Sequence, residues 1–91
     1  MSLQWLFDVI QDRKSNPSET SYTSSLFAAG LPKIAQKVGE ESVEVVAAGL
    51  VQDDQRLVEE VADLAFHTLV LLSARGLSPS HVVAELLRRH K

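Results

Sequence analysis

Three observations on this chain predict an all-α fold. Apolar residues recur at three- and four-residue spacings along nearly the whole length. No stretch alternates apolar and polar residues for long enough to make a strand. Glycine and proline fall where four to five helices would start or stop. At 91 residues the chain is read as a single domain over positions 1–91. That is near the size at which one core is marginal and subunit association supplements it.

The first helix is read from Leu3, Leu6, Phe7 and Ile10, whose spacing makes an amphipathic stripe, and Asn16-Pro17-Ser18 ends it in a turn. Trp5 is assigned to the core. Residues 15–25 form a serine-rich polar connector, by composition a mobile linker or a binding element. A short helical turn through Leu26 and Phe27 closes at Gly30. The next helix opens at Leu31-Pro32, with proline in the first turn where its missing N–H costs nothing, and is expected to end near Gly49. Ile34, Val38, Val45 and Ala48 mark its apolar side, and Glu41 falls where another aliphatic residue would complete that stripe. Asp53 or Asp54 caps a helix that runs through Leu57, Val61, Leu64, Ala65, Thr68 and Leu72 and stops at Gly76. From Leu64 to Leu72 this helix is apolar around nearly its whole circumference, so packing on two sides is expected, one of them a second subunit. Ser78-Pro79 opens a last helix carrying Val82, Val83, Leu86 and Leu87.

Composition removes several functions. Without cysteine there is no disulfide, thiolate metal site or cysteine nucleophile, and a reducing compartment is the fitting one. The first fifteen residues lack a basic start followed by an apolar run, so no signal peptide is read and a cytoplasmic location is expected. The longest apolar run, Val45 to Val51, is far too short to span a bilayer. With net charge −3 and nine dispersed Lys and Arg, the chain has no footprint for a nucleic acid.

What remains is a pattern of carboxylates, Glu41-Ser-Val-Glu44 and then Glu60-Val-Ala-Asp63. Residues three apart lie about 60° apart around a helix, so each pair shares a face. Two antiparallel helices would bring four carboxylates together, and four negative charges in one place need a cation. Magnesium, which takes oxygen ligands from a few carboxylates plus phosphate oxygens, suits them. Glu40 and Glu59 point about 100° away, though Glu40 remains available as a base through water. Lys33, Lys37 and Glu41 form a row along one helix that matches a phosphate held between lysine and metal. His67, one turn beyond Asp63, is read as a hydrogen-bonded partner rather than a ligand. For any one pair a solvated charged face is the plain alternative, and Lys37 with Glu41 is equally a simple i,i+4 ion pair. A Glu41 that interrupts an apolar stripe argues against the solvated face.

These residues resemble the all-α nucleoside triphosphate pyrophosphohydrolases of the MazG-like superfamily. Ser21-Tyr22-Thr23, Leu26-Phe27-Ala28, the run from Lys33 to Glu41 and Glu60-Val61-Ala62-Asp63-Leu64 are similar to the phosphoribosyl-ATP pyrophosphohydrolases of histidine biosynthesis. The resemblance spans essentially the whole chain. It implies Mg2+-dependent hydrolysis of 1-(5-phospho-β-D-ribosyl)-ATP to the AMP derivative and pyrophosphate, the second step of L-histidine synthesis. Glu41, Glu44, Glu60 and Asp63 would hold the metal. Lys37 and Glu40 would act near the reacting phosphates, and Ser21, Tyr22, Thr23 and Lys33 would face the substrate. Many members are fused behind a cyclohydrolase domain, for which 91 residues leave no room, so a free-standing homodimer joined through the long central helices is expected. The alternatives are a housecleaning pyrophosphohydrolase for ordinary or damaged nucleoside triphosphates, and a non-catalytic helical dimerisation module. Arg13 and Lys14 are read as solvated charges rather than ligands of a distal phosphate.

Overall fold

A computed structural model describes residues 3–90 and, among them, contains five helices and no strand: α1 (Gln4–Ser15), α2 (Tyr22–Ala29), α3 (Leu31–Val51), α4 (Asp54–Ala74) and α5 (Pro79–Arg89). The longest two, α3 and α4, have 21 residues each and so run about 31 Å at 1.5 Å per residue. The turn between them sends α4 back along α3, and this pair makes the most extensive helix–helix contact of the fold.

Asp53 sets that turn. Its side chain accepts from the Arg56 backbone N–H at 2.9 Å, capping α4. The preceding helix consequently runs on to Val51, two residues past the expected stop. Gly49 stays helical, because Gln52, not Gly49, adopts the extended backbone that breaks the helix. At the other end of α4 the expected stop holds. Gly76 takes φ 74°, a left-handed conformation that a side chain disfavours, and its N–H donates to the Ser73 carbonyl.

The serine-rich segment is more ordered than its composition suggests. Helix α2 begins at Tyr22, inside the expected connector, because the Ser21 hydroxyl accepts from the Ser24 N–H at 3.1 Å. Ser24 is buried, donates to the Arg13 carbonyl at 3.2 Å and accepts from the Ser18 N–H at 3.1 Å. Its hydroxyl thereby closes the loop onto the end of α1. Lys14 is also engaged, contrary to the reading of a solvated charge: its ammonium donates to the Ser73 carbonyl at 2.7 Å and ties α1 to the far end of α4. Arg13 pairs locally with Asp12 at 2.7 Å.

The core is built by four helices, from Phe7 and Ile10 on α1, Leu26 on α2, Ile34 on α3, and Leu69 and Val70 on α4. Trp5 is not part of it and stands 53% exposed. Two positions before Phe7, it lies about 160° around α1 from the side that packs inward. Helix α5 buries no residue, and Val82, Val83, Leu86 and Leu87 all remain exposed. Between α5, the start of α1 and the outer side of α4 lies a groove of about 690 Å³, lined by Leu3, Val61, Leu64, Leu72, Val82 and Val83 among others.

The groove marks the side of α4 that its own chain leaves open. The stripe Val61, Leu64, Ala65, Thr68 and Leu72 faces the groove, while the helix buries Glu60, His67, Leu69, Val70 and Ser73. Leu69 and Val70 join the core beside the buried polar groups Glu60, His67 and Ser73, while the side carrying Val61 and Leu64 is left open. No helix of the described residues is long and apolar enough to cross a membrane.

Candidate active site

Carboxylates from α3 and α4 meet where the two helices pack. Glu41, Glu60 and Asp63 each offer an oxygen, and these three atoms lie within 4.8 Å of one another. Glu60 is 6% exposed, Glu41 is half-buried and Asp63 is exposed, so the cluster opens to water on the Asp63 side. The gap that Glu41 leaves in the apolar stripe of α3 is thus a place facing α4. Glu44, one turn further along, is exposed and lies outside the three-residue group.

Charge inside the cluster is partly balanced from within the chain. Arg56 reaches Glu60 at 2.6 Å and Glu59 at 2.5 Å, both on its own helix. Lys37 lies 3.8 Å from Glu41 and 3.4 Å from Glu40. Asp63 has no ion-pair partner among the described residues. Two cations that also serve Glu40 and Glu59 leave net negative charge on the three converging carboxylates. The donor set fits magnesium. All three ligands are hard oxygens, and opposite oxygens around that ion are about 4.2 Å apart, so a group spanning 4.8 Å needs only a small adjustment.

At the rim, Glu40 accepts from Gln36 at 2.8 Å, and that bond together with the one from Lys37 holds its carboxyl below the usual carboxylate range. Lys37 is held above its ordinary value, first by the hydrogen bond to Glu40 and further by the charges of Glu40 and Glu41, against the opposing effect of burial. Lys33 is exposed and acts on the same Glu40 carboxylate through its charge. Glu59 is likewise held low, by Gln55 and then Arg56, and turns away from the cluster.

Behind the carboxylates His67 is 5% exposed with both ring nitrogens engaged. Nδ1 lies 2.7 Å from the Asp63 carbonyl oxygen and Nε2 lies 3.0 Å from the Tyr22 hydroxyl. Tyr22, Phe66 and His67 pack as an aromatic group, with Phe66 and His67 edge to face at 5.0 Å between ring centroids. This matches the reading of His67 as a hydrogen-bonded partner. The bond to Tyr22 was not legible, because it joins positions 45 residues apart. Of the expected substrate-facing residues, Tyr22 is exposed beside this group, Thr23 is half-buried, and the Ser21 hydroxyl is used as the α2 cap. Arg56 was also missed, although its spacing of four from Glu60 is a readable ion-pair signal.

The sequence profile of the family described as phosphoribosyl-ATP pyrophosphohydrolase matches residues 3–90. Over 87 residues the chain is 51% identical to the phosphoribosyl-ATP pyrophosphatase of Geotalea daltonii, covering 96% of this chain and 82% of that one. It is 47% identical over 89 residues to the phosphoribosyl-ATP pyrophosphatase of Sulfurisphaera tokodaii, covering 98% and 95%. A third relative, the histidine biosynthesis bifunctional protein HisIE of Shewanella oneidensis, is 49% identical over 86 residues, which are 94% of this chain and 41% of that protein. A profile match over nearly every residue, and about half identity to relatives covered over four-fifths or more of their length, place the chain in the phosphoribosyl-ATP pyrophosphohydrolase family.

Proposed function

We propose that this chain hydrolyses phosphoribosyl-ATP to phosphoribosyl-AMP and pyrophosphate, cutting between the α and β phosphates as a step of histidine synthesis in the cytoplasm. The observation that carries the reading is the meeting of Glu41, Glu60 and Asp63 from two helices within 4.8 Å. Family membership and the names of the relatives support the choice of substrate.

In this reading Mg2+ is held by Glu41, Glu60 and Asp63, with Glu44 as the fourth carboxylate on the open flank. The ion supplies charge neutralisation for the phosphate oxygens and lowers the pKa of water. Lys37, kept protonated by Glu40 and its neighbours, binds and neutralises phosphate beside the cluster. Glu40 is the proposed proton acceptor for the attacking water. Its lowered pKa makes it a modest base, so its part is chiefly to orient water, in keeping with phosphoryl transfer's dependence on position and charge. Ser21, Tyr22, Thr23 and Lys33 form the edge that meets the rest of the nucleotide.

The chain acts as a homodimer in this proposal. What supports it is the outward apolar side of α4 together with α5, which has no buried residue of its own. An open groove lined by Val61, Leu64, Leu72, Val82 and Val83 is what a second copy would cover.

Pyrophosphate release from phosphoribosyl-ATP, ATP and dATP, each with magnesium and with excess chelator, tests the activity. Fast, magnesium-dependent release from phosphoribosyl-ATP alone is expected. A preference for ATP or dATP would make the chain a general triphosphate pyrophosphohydrolase, and silence on all three would reduce the carboxylates to a structural cluster.

A further inference from the structure

The hydrogen-bond arithmetic around His67 determines what Tyr22 can offer a ligand. A backbone carbonyl only accepts, so the 2.7 Å contact to Asp63 O requires the proton on His67 Nδ1. In a neutral imidazole Nε2 is then a bare acceptor, and at 3.0 Å it takes the Tyr22 hydroxyl proton. The ring is 5% exposed and braced by Phe66 at 5.0 Å, so it is poorly placed to turn over and exchange the two nitrogens. The tyrosine residue is 52% exposed, and a phenol oxygen that donates its one proton keeps its lone pairs for accepting.

We propose that His67 is a positioning residue that spends the Tyr22 hydroxyl proton inward and leaves the exposed phenol oxygen as an acceptor only. Tyr22 therefore receives a hydrogen bond from an O–H or N–H of the nucleoside part of the ligand, and does not donate one to a phosphate oxygen. Phosphate recognition falls to Lys37 and the carboxylate-held cation, and nucleoside recognition falls to Tyr22. The chain of contacts from Tyr22 through His67 to the Asp63 backbone also fixes the start of α2 against the segment of α4 that carries Asp63. This inference rests on the proposed reading of the acidic cluster as the site of nucleotide hydrolysis.

Two measurements test it. Long-range ¹H–¹⁵N spectra of histidine-labelled protein should show His67 with a protonated Nδ1 and a bare Nε2, and Tyr22→Phe should move the Nε2 resonance. A protonated Nε2 would overturn the proposal whatever the enzyme does. In the second, calorimetry with magnesium compares ATP, 2′,3′-dideoxyATP and inorganic tripolyphosphate on the native chain and on Tyr22→Phe. The variant should weaken ATP about three- to tenfold, the range of one neutral hydrogen bond, and leave tripolyphosphate unchanged. Sparing of dideoxyATP identifies the donor as a sugar hydroxyl, and equal weakening of both nucleotides identifies a base N–H. Weakening of tripolyphosphate, or of nothing, overturns the proposal. His67→Leu should weaken ATP like Tyr22→Phe, with the double variant no worse than either, whereas additive losses would reduce His67 to packing. Absence of turnover with the stated tautomer intact would fell the proposed reaction and not this hydrogen-bond assignment.

Discussion

The two sides of α4 differ in what their own chain leaves uncovered. Where α4 meets α3 it presents Glu60 and Asp63, with His67 bonded to Tyr22 of α2 and Leu69 and Val70 in the core, whereas Val61, Leu64, Ala65 and Thr68 line an open groove. Burying the Glu60 carboxylate while leaving Val61 exposed and Leu64 only partly covered works against folding on both counts. A chain keeps such an arrangement when each side has a use. On the inner side two helices hold acidic oxygens close enough to share a cation, and on the outer side an apolar surface waits for a cover. The local offsets to the inner cost are visible in the ion pairs from Arg56 to Glu60 and from Lys37 to Glu41, and in the fully bonded His67.

The sharpest way to break the comparison is to neutralise the inner side. Asp63→Asn keeps size and shape but removes the charge of a carboxylate that has no ion-pair partner among the described residues. We expect a loss of about a hundred- to a thousandfold in kcat, comparable with deleting a transition-state charge stabiliser, with helicity unchanged by circular dichroism. Near-normal turnover at saturating magnesium would separate the cluster from catalysis. Glu44→Gln should cost less, because Glu44 stands outside the three-residue group.

The outer side is broken by a charge placed where it does no harm within one subunit. Leu64 lines the groove and is only partly covered by its own chain. On the proposed dimer, Leu64→Glu should shift the mass in sedimentation equilibrium from two copies to one. Truncating a central apolar anchor typically costs about 2 kcal/mol or more, and burying a carboxylate there adds to it. An unchanged mass would assign the groove to something other than a second copy. Magnesium tests the inner side by linkage. At about a hundred times its dissociation constant an ion that binds only the folded state adds about 2.7 kcal/mol of stability. Thermal unfolding should rise with magnesium in the native chain and much less in Asp63→Asn.

How far the sequence could be read follows the same division between local and distant relations. Helix type, the caps at Asp53 and Ser78 and the stop at Gly76 are governed by spacings of four residues or fewer, and they were legible. So was the placement of Glu41 against α4, because a charge inside an apolar stripe conflicts with its surroundings. Which apolar residues of α4 its own chain would cover was not legible. A helix apolar around its circumference carries no signal of which side its own chain covers, and the choice is made by Ile34, Val70 and the acidic face of α3. Trp5 was misassigned for a related reason: aromatic area predicts burial, but Phe7 and Ile10 had already claimed the inward side of α1. The Tyr22–His67 bond and the tie from Lys14 to Ser73 join residues 45 and 59 positions apart, where no local spacing could show them.

The smallest expected effect serves as the control for the others. Asp53 caps α4 through the Arg56 N–H at 2.9 Å and touches neither the acidic cluster nor the apolar groove. Loss of such a cap costs about 1 kcal/mol, spread over the helix as a whole. Asp53→Ala should therefore lower the unfolding midpoint by a few degrees, the change that about 1 kcal/mol gives in a domain of this size, while leaving kcat and the dimer mass as they were. Because the cap orders the first turn of α4, from which Arg56 reaches Glu60, a fall in kcat with unchanged mass would show that the carboxylates depend on the position of that turn. A fall in both would show that the inner and outer sides report only the stability of the helix they share, and the contrast between them would lose its meaning.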